Sequence, residues 1–559
     1  MKTNEMIKIK ISGPKLIEET IEINKGTTVE EVLQEYKDKM PYPIYACVFD
    51  NCYRGLKHIL THDGTLQFLD ITNQATWTIY QNSLELLYIK AVHDICGKQT
   101  LVTIANSLNK GLYTFTNPLI SKEQIQAVEN RMKELVKLDI PINKEYMSKK
   151  EALELAKSHK LKETYKLLNS INNIDSIHIF SLDDEVDIFY DLMVPSTSYL
   201  QYFELRPYKV GALLRYPHPE NPLQIPEYED QTLLYNAFSQ ANKWGNLMNV
   251  EFIADLNEMT KDSNKYEDLF LMQEALHEKN ISDISDMIKQ ENKRVVLICG
   301  PSSSGKTTFA KRLCIQLRVN GLKPLYLGTD DYFVEADEKP RDENGEIDLE
   351  SIKAVDTDLF KKQLNELLQY KEVDLPVFDF LNNTKVFGTR LTKLDKNGVI
   401  VIEGIHALNK LLTDSVNDDE KFKIYISPFT PIGIDHHNRI PTTDARMLRR
   451  LVRDHQFRGR SASTIIQEWA KVRKSENVNI FPFNVEADVF FNSNCIYELA
   501  VLKKYAQPLL QEIKRSEPEY AEAQRMLEFL KFVETIDDDS AINQNSIIRE
   551  FIGGSSIVK

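Results

Sequence analysis

Apolar positions recur along this chain with different periods, and each period predicts a different element. Near the start, Ile7, Ile9 and Ile11 alternate with Lys8, Lys10 and Ser12, the period of two that a half-buried strand requires. Gly26-Thr-Thr-Val-Glu-Glu-Val-Leu then opens a short helix and Tyr45-Ala-Cys-Val-Phe reads as another strand, so residues 1–70 are expected to form a small β-rich unit. Over residues 71–217 the pattern shifts. Leu84, Leu87, Tyr88, Ala91, Val92 and Ile95 repeat at helical spacing on one face, and the capping boxes Ser121-Lys-Glu-Gln124 and Ser148-Lys-Lys-Glu151 predict two more helix starts. Residues 218–289 carry Pro219, Pro222 and Pro226 and then a helical stretch rich in Asn, Gln and Glu, which reads as a connector packed on its neighbours. After residue 495 the chain is helical again, interrupted around Pro518, and ends in Ser546-Ile-Ile-Arg-Glu-Phe-Ile-Gly-Gly-Ser555, an apolar tail expected to dock on its own protein.

A third pattern lies between. Val295 to Ile298 is an unbroken apolar run of strand length, and Phe309, Leu313 and Leu317 recur every fourth residue until Gly321, which can close a helix. Between strand and helix stands Gly300-Pro-Ser302-Ser303-Ser304-Gly305-Lys306-Thr307-Thr308, the phosphate-loop pattern G-x-x-x-x-G-K-[ST]. Gly300 and Gly305 let the backbone fold around a triphosphate with its N–H groups pointing inward, Lys306 reaches the β- and γ-phosphates, and Thr307 can hold Mg²⁺. The flanking strand and helix make nucleotide binding the reading.

Four further segments follow in the order that phosphoryl transfer to a small molecule needs. Leu325-Tyr-Leu-Gly-Thr-Asp330-Asp331 is a strand delivering two carboxylates where parallel sheets carry their sites. Asp330 could take a proton from an attacking hydroxyl or organise Mg²⁺; an acidic turn or helix cap is the plainer account, which the phosphate loop outweighs. Gly398-Val-Ile-Val-Ile-Glu403 is a buried strand ending in a carboxylate, a metal-side candidate because a buried glutamate without a partner is costly. Asp356 and Asp379 are acceptor-side carboxylates suited to ribose hydroxyls. Arg446, Arg449, Arg450 and Arg453 share one helical face and could converge on phosphate charge, with a solvated basic face or RNA patch as the alternative.

These segments, over about residues 290–495, resemble the uridine kinase and phosphoribulokinase family. The resemblance implies an α/β P-loop fold, a parallel sheet with helices on both faces. It implies Asp330 as the catalytic aspartate, Glu403 as the strand-end glutamate, and Asp444 to Asp454 as the lid helix with Arg446, Arg449 and Arg453. The family stretch Y-D-F-x-x-H-x-R stands here as Phe378-Asp379-Phe380-Leu-Asn-Asn383-Thr-Lys385, so three nucleoside-contacting groups are changed. Residues 1–70 resemble the TGS domain, a ubiquitin-like β-grasp module. Ile104 to Tyr113, Met147 to Ala156 and Asp191 to Leu200 resemble the α+β second additional domain of threonyl- and alanyl-tRNA synthetases. That family edits with H-x-x-x-H and later Cys and His ligands, and this chain reads Tyr80-Gln-Asn-Ser-Leu-Glu-Leu-Leu where the histidines would begin, so editing chemistry is not expected. The function implied is an ATP- and Mg²⁺-dependent kinase acting on the 5′-hydroxyl of a nucleoside. The alternatives are a regulatory NTPase that binds RNA or tRNA, and a kinase of another sugar or polyol.

The totals narrow this further. At 559 residues, 42% hydrophobic and 27% charged, the chain suits several soluble domains, and a net charge of −14 disfavours a general nucleic-acid coat. Six cysteines spread over this length read as reduced thiols, and no apolar run is long enough for a membrane helix, so a cytoplasmic protein is expected, as a homo-oligomer. Cys47, Cys52, His58 and His62 form C-x4-C-x5-H-x3-H, but the central spacer is too short for a two-Cys two-His finger.

Overall fold

The computed structural model describes residues 5–108, 110–172, 174–341, 345, 347–379 and 382–558. Residues 295–299, an uninterrupted apolar stretch, form the middle strand of a five-stranded sheet, all parallel. Its order is Lys323–Gly328, Gly398–Glu403, Val295–Cys299, Lys421–Ser427, Val489–Asn492. Successive side chains go to opposite faces. Val296 and Ile298 therefore pack with Phe309, Leu313 and Leu317 of the helix Lys306–Val319, and with Ile281, Ile284 and Ile288 of the helix Ser263–Gln290. Val295 and Leu297 pack on the other face with Phe360 and Leu364 of the helix Thr357–Leu368. A sheet buried on both sides explains the unbroken apolar runs. Register matters for the site: Glu403 lies opposite both Ile298 and Gly328, so three strands end level and the segments beyond them share one edge.

Residues 5–70 contain a mixed sheet ordered Leu16–Asn24, Met6–Gly13, Gly64–Asp70, Ile44–Phe49, Cys52–Gly55, with Met6–Gly13 parallel to Gly64–Asp70. Its short helix Val29–Gln34 starts at Thr28, whose hydroxyl accepts from Glu31 N while Glu31 caps the Thr28 amide in return. Cys47 is buried and donates to Arg54 O, and His62 pairs with Asp50 at 3.0 Å. Among the described residues these Cys and His side chains form no metal-ligand group, and no cysteine pairs in a disulfide.

The next unit is built round the helix Gln74–Cys96. The sequence predicts one apolar face for it, but Leu84, Leu86, Leu87, Tyr88 and Ile89 are all buried, because the middle of the helix is enclosed, whereas Ile95 of the predicted face is exposed near its end. A four-stranded antiparallel sheet (Glu204–Tyr208, Gly211–Arg215, Gly111–Asn117, Leu101–Leu108) and a three-stranded one (Glu185–Asp187, Ser176–Leu182, Ile142–Ser148) accompany it. Both predicted capping boxes are present, at Ser121 and Ser148. The connector is three helices, Thr232–Leu247, Ile253–Thr260 and Ser263–Gln290. At the other end the helices Glu498–Gln511 and Tyr520–Leu530 flank the break that contains Pro518, and Ile547 and Phe551 of the tail are fully buried. No described helix is long and apolar enough to cross a membrane.

Candidate active site

The phosphate loop leaves the middle strand at Gly300, where a Cβ would stand 2.1 Å from the carbonyl oxygen of Ile426, so only glycine fits. The chain turns through Ser303 (φ 60°) and Gly305 (φ 82°), both left-handed, into the helix starting at Lys306. Its first N–H groups have no partner within the helix and suit anions. Lys306 donates to Pro301 O at 3.2 Å. The Ser303 and Ser304 hydroxyls are enclosed and have no hydrogen-bond partner among the described residues.

Level with the loop, Thr307 Oγ1 donates to Glu403 Oε2 at 3.2 Å and Tyr326 OH donates to the same oxygen at 2.9 Å. Burial pushes the Glu403 carboxyl up to about 7, against the Lys306 charge that favours its ionised form. Asp330 and Asp331 follow the strand Lys323–Gly328, and their partners distinguish them. Arg390 donates to Asp331 Oδ2 at 2.9 Å, tying that carboxylate to the wall. Asp330 is exposed to solvent, although protein atoms crowd its carboxyl. Those surroundings raise its carboxyl above the ordinary range; Lys306 and Arg458 oppose this and Asp331 adds to it. Thr307 hydroxyl, Glu403, Asp330 and the loop amides form a hard-oxygen and N–H set that fits Mg²⁺ and a polyphosphate, with Lys306 as countercharge.

The arginine helix Thr442–Arg458 lies against the loop, and its guanidinium groups mostly hold protein rather than stand free. Arg446 donates to Ser302 O at 2.9 Å and pairs with Glu476. Arg449 is fully buried on Ser303 O, Ser493 O and Glu498, the last at 2.5 Å. Arg450 reaches Ser302 Oγ at 3.3 Å and Glu468 at 3.2 Å, and Arg453 pairs with Asp454 at 2.8 Å. Of the helix face that the sequence reads as converging on phosphate, Arg449 is held inside the protein, where its guanidinium supports the loop through Ser303 O.

Of the residues expected on an acceptor side, Asp356 caps the helix Thr357–Leu368 through Leu359 N and pairs with Lys385 at 2.6 Å. Phe378 is buried against Phe333, Asp379 accepts from Asn382 N at 3.2 Å, and Asn383 (φ 52°) accepts from Lys339. Phe380 lies outside the described residues. Sequence reasoning missed three carboxylates at the loop. Glu476 accepts from Ser302 N at 3.0 Å, and Glu550 accepts from Thr308 N at 3.2 Å and from Thr308 Oγ1 at 2.5 Å. Glu350, held up to about 7 by burial with Glu476 nearby, keeps one enclosed oxygen unpartnered among the described residues. None carries a local motif, and Glu476 and Glu550 reach the loop from distant segments.

Comparison with known proteins decides the family. The model of the phosphoribulokinase / uridine kinase family matches residues 295–498. A uridine kinase from Ligilactobacillus salivarius is 30% identical over 189 residues, which cover 34% of this chain and 79% of the relative. Uridine kinases from Staphylococcus haemolyticus (31% over 200 residues, 35% and 86% covered) and Lactobacillus johnsonii (30% over 202 residues, 36% and 87% covered) match the same way. The chain belongs to the phosphoribulokinase / uridine kinase family. Its family region is a P-loop phosphotransferase, and the loop, the Glu403 strand and the arginine helix all fall inside it. The first 294 residues lie outside the family match, as does the tail carrying Glu550.

Proposed function

We propose that this chain is a kinase that moves the terminal phosphoryl group of ATP, with Mg²⁺, to the 5′-hydroxyl of a ribonucleoside, uridine or a close relative. The observation carrying the reading is the meeting of unlike groups at one sheet edge: the Lys306 ammonium, the Thr307–Glu403 pair and the exposed Asp330 carboxylate. Thr307 and Glu403 would hold the cation, which supplies charge neutralisation for the β- and γ-oxygens. Lys306 and the loop amides orient the polyphosphate, so the reaction needs little reorganisation. Asp330 accepts the hydroxyl proton at its carboxylate. The arginine helix, braced by Glu476 and Glu498, keeps the loop in shape and shields it from water.

The acceptor is the less constrained half. Both Asp356 oxygens are already engaged, by Leu359 N and Lys385, so a ribose hydroxyl would share them. Lys385 and Lys339 at this side favour a second reading, a kinase of another polyol or sugar phosphate. For the remainder we read residues 1–70 as TGS-like, supported by the mixed sheet with one parallel pair, and residues 71–217 as a synthetase-like domain without its metal ligands.

The test is turnover of ATP with Mg²⁺ against nucleosides, pentose phosphates and tRNA, reading phosphorylated product. A nucleoside monophosphate from one or two acceptors is expected. Turnover that rises only with tRNA, with no phosphorylated small molecule, would replace this reading by a regulatory NTPase.

A further inference from the structure

The end of the chain reaches the phosphate loop from behind. Ile547 and Phe551 are fully buried among Phe309, Leu313 and Ile298, and a Cβ on Gly305 would lie 2.6 Å from Ile547 Cγ2. The Arg449 guanidinium stands 4.9 Å from the Phe551 ring centre. Arg549 fixes the short helix Arg549–Ile552 by donating to Asp539 O at 2.7 Å and Ile542 O at 2.9 Å, and Lys311 reaches Ile557 O at 3.3 Å.

This anchoring aims Glu550 at Thr308, whose amide and hydroxyl both donate to Glu550 Oε2, at 3.2 and 2.5 Å. Thr308 is the third residue of the helix Lys306–Val319 and follows Lys306 and Thr307 directly. Its N–H is one of the donors that a helix start behind a glycine-rich loop offers to phosphate. A carboxylate already holds that donor, and a polyphosphate laid along the loop would meet a like charge there. Glu550 is also close enough to Glu403 for its charge to bear on that carboxyl.

We propose that Glu550 is a built-in competitor for nucleotide phosphate, so that occupation of the loop and docking of the C-terminal tail exclude each other at Thr308. The proposal rests on the kinase reading above. It makes the tail a regulator of nucleotide affinity: whatever holds the tail down weakens binding, and nucleotide loosens the tail.

The experiment uses the full chain and a non-hydrolysable ATP analogue with Mg²⁺, reading binding by calorimetry and tail amides 546–558 by hydrogen exchange. Glu550→Gln keeps the shape and removes the charge, and Glu550→Ala removes the acceptor as well. Both are expected to bind the analogue about tenfold tighter than the unmodified protein, and the unmodified tail should exchange faster once the analogue is bound. Unchanged or weaker binding by both variants, or a tail that becomes more protected, would overturn the proposal and make Glu550 part of the nucleotide site. Absence of binding by all three proteins would instead sink the kinase reading, and this one with it. Melting of each protein without the analogue guards against a folding defect being read as lost affinity.

Discussion

Adjacent aspartates at the end of one strand have different fates, and the difference argues for their chemistry. Asp331 is held by Arg390 at 2.9 Å, whereas Asp330 is exposed within reach of the Lys306 charge, with its carboxyl raised by its surroundings. A raised carboxyl is a better proton acceptor than an ordinary carboxylate, which suits a base for a hydroxyl. Asp330→Asn is expected to lower kcat by roughly 10²–10⁴-fold, the usual contribution of a positioned base, while nucleotide affinity stays within about twofold. Lys306→Ala should lose both, since its ammonium serves bound and transferring phosphate alike. Paired turnover and binding measurements on the two variants check this, and an Asp330→Asn protein that keeps most of its turnover would remove Asp330 as the base.

Among elements, the helices Thr442–Arg458 and Ala462–Asn479 act together on the loop. Glu476, fully buried, joins them: it pairs with Arg446 and Arg473 and accepts from Ser302 N. Glu476→Ala leaves the Arg446 and Arg473 guanidinium groups without their shared carboxylate, and such a loss costs roughly 3–5 kcal/mol. Urea unfolding measures it, and a change below about 1 kcal/mol would mean the pairs contribute nothing net. The same residues show how far the sequence could be read. Strand, loop and helix around Lys306 were legible because local period and glycine placement carry them, and so were the Ser121 and Ser148 caps, whose partners lie three residues away. Glu476 and Glu550 were not, because each meets the loop across 174 and 242 residues of chain and nothing in its neighbourhood marks it. The surroundings of Arg449 were not legible for a related reason. Helical spacing places a guanidinium on a face, but only the packing of Ser493 and Glu498 shows that its two terminal nitrogens hold protein groups.

At the scale of the whole molecule, the segment Asp435 to Arg439 plugs the family domain into the unit before it. Ile104 N donates to His436 O at 2.9 Å, Asn438 donates to Ile188 O at 2.8 Å, and Arg439 reaches Gln81 at 3.4 Å. Asp435 caps the amides of His437 and Asn438 and accepts from Thr164 and Tyr190 across the junction. His437 lies buried with Nδ1 2.5 Å from Asp187, and Asp435, Glu185 and Glu85 face the same space, with His436 beside it. Burial alone would lower the imidazole pKa, but the Asp187 charge and hydrogen bond, with Asp435, carry it up to about 9. A histidine ionised in the folded state above its unfolded value of about 6.5 contributes stability that is complete below that pH and lost as pH rises through about 9. His437→Gln should therefore be less stable than the unmodified protein by roughly 3 kcal/mol near pH 6, with the gap closing by pH 9 to 10. Urea unfolding of both proteins at pH 6, 7.5 and 9 measures that gap directly. A difference that stays constant over the range would mean that His437 is neutral in the folded chain and that the junction is held by Asp435 and its amide donors alone.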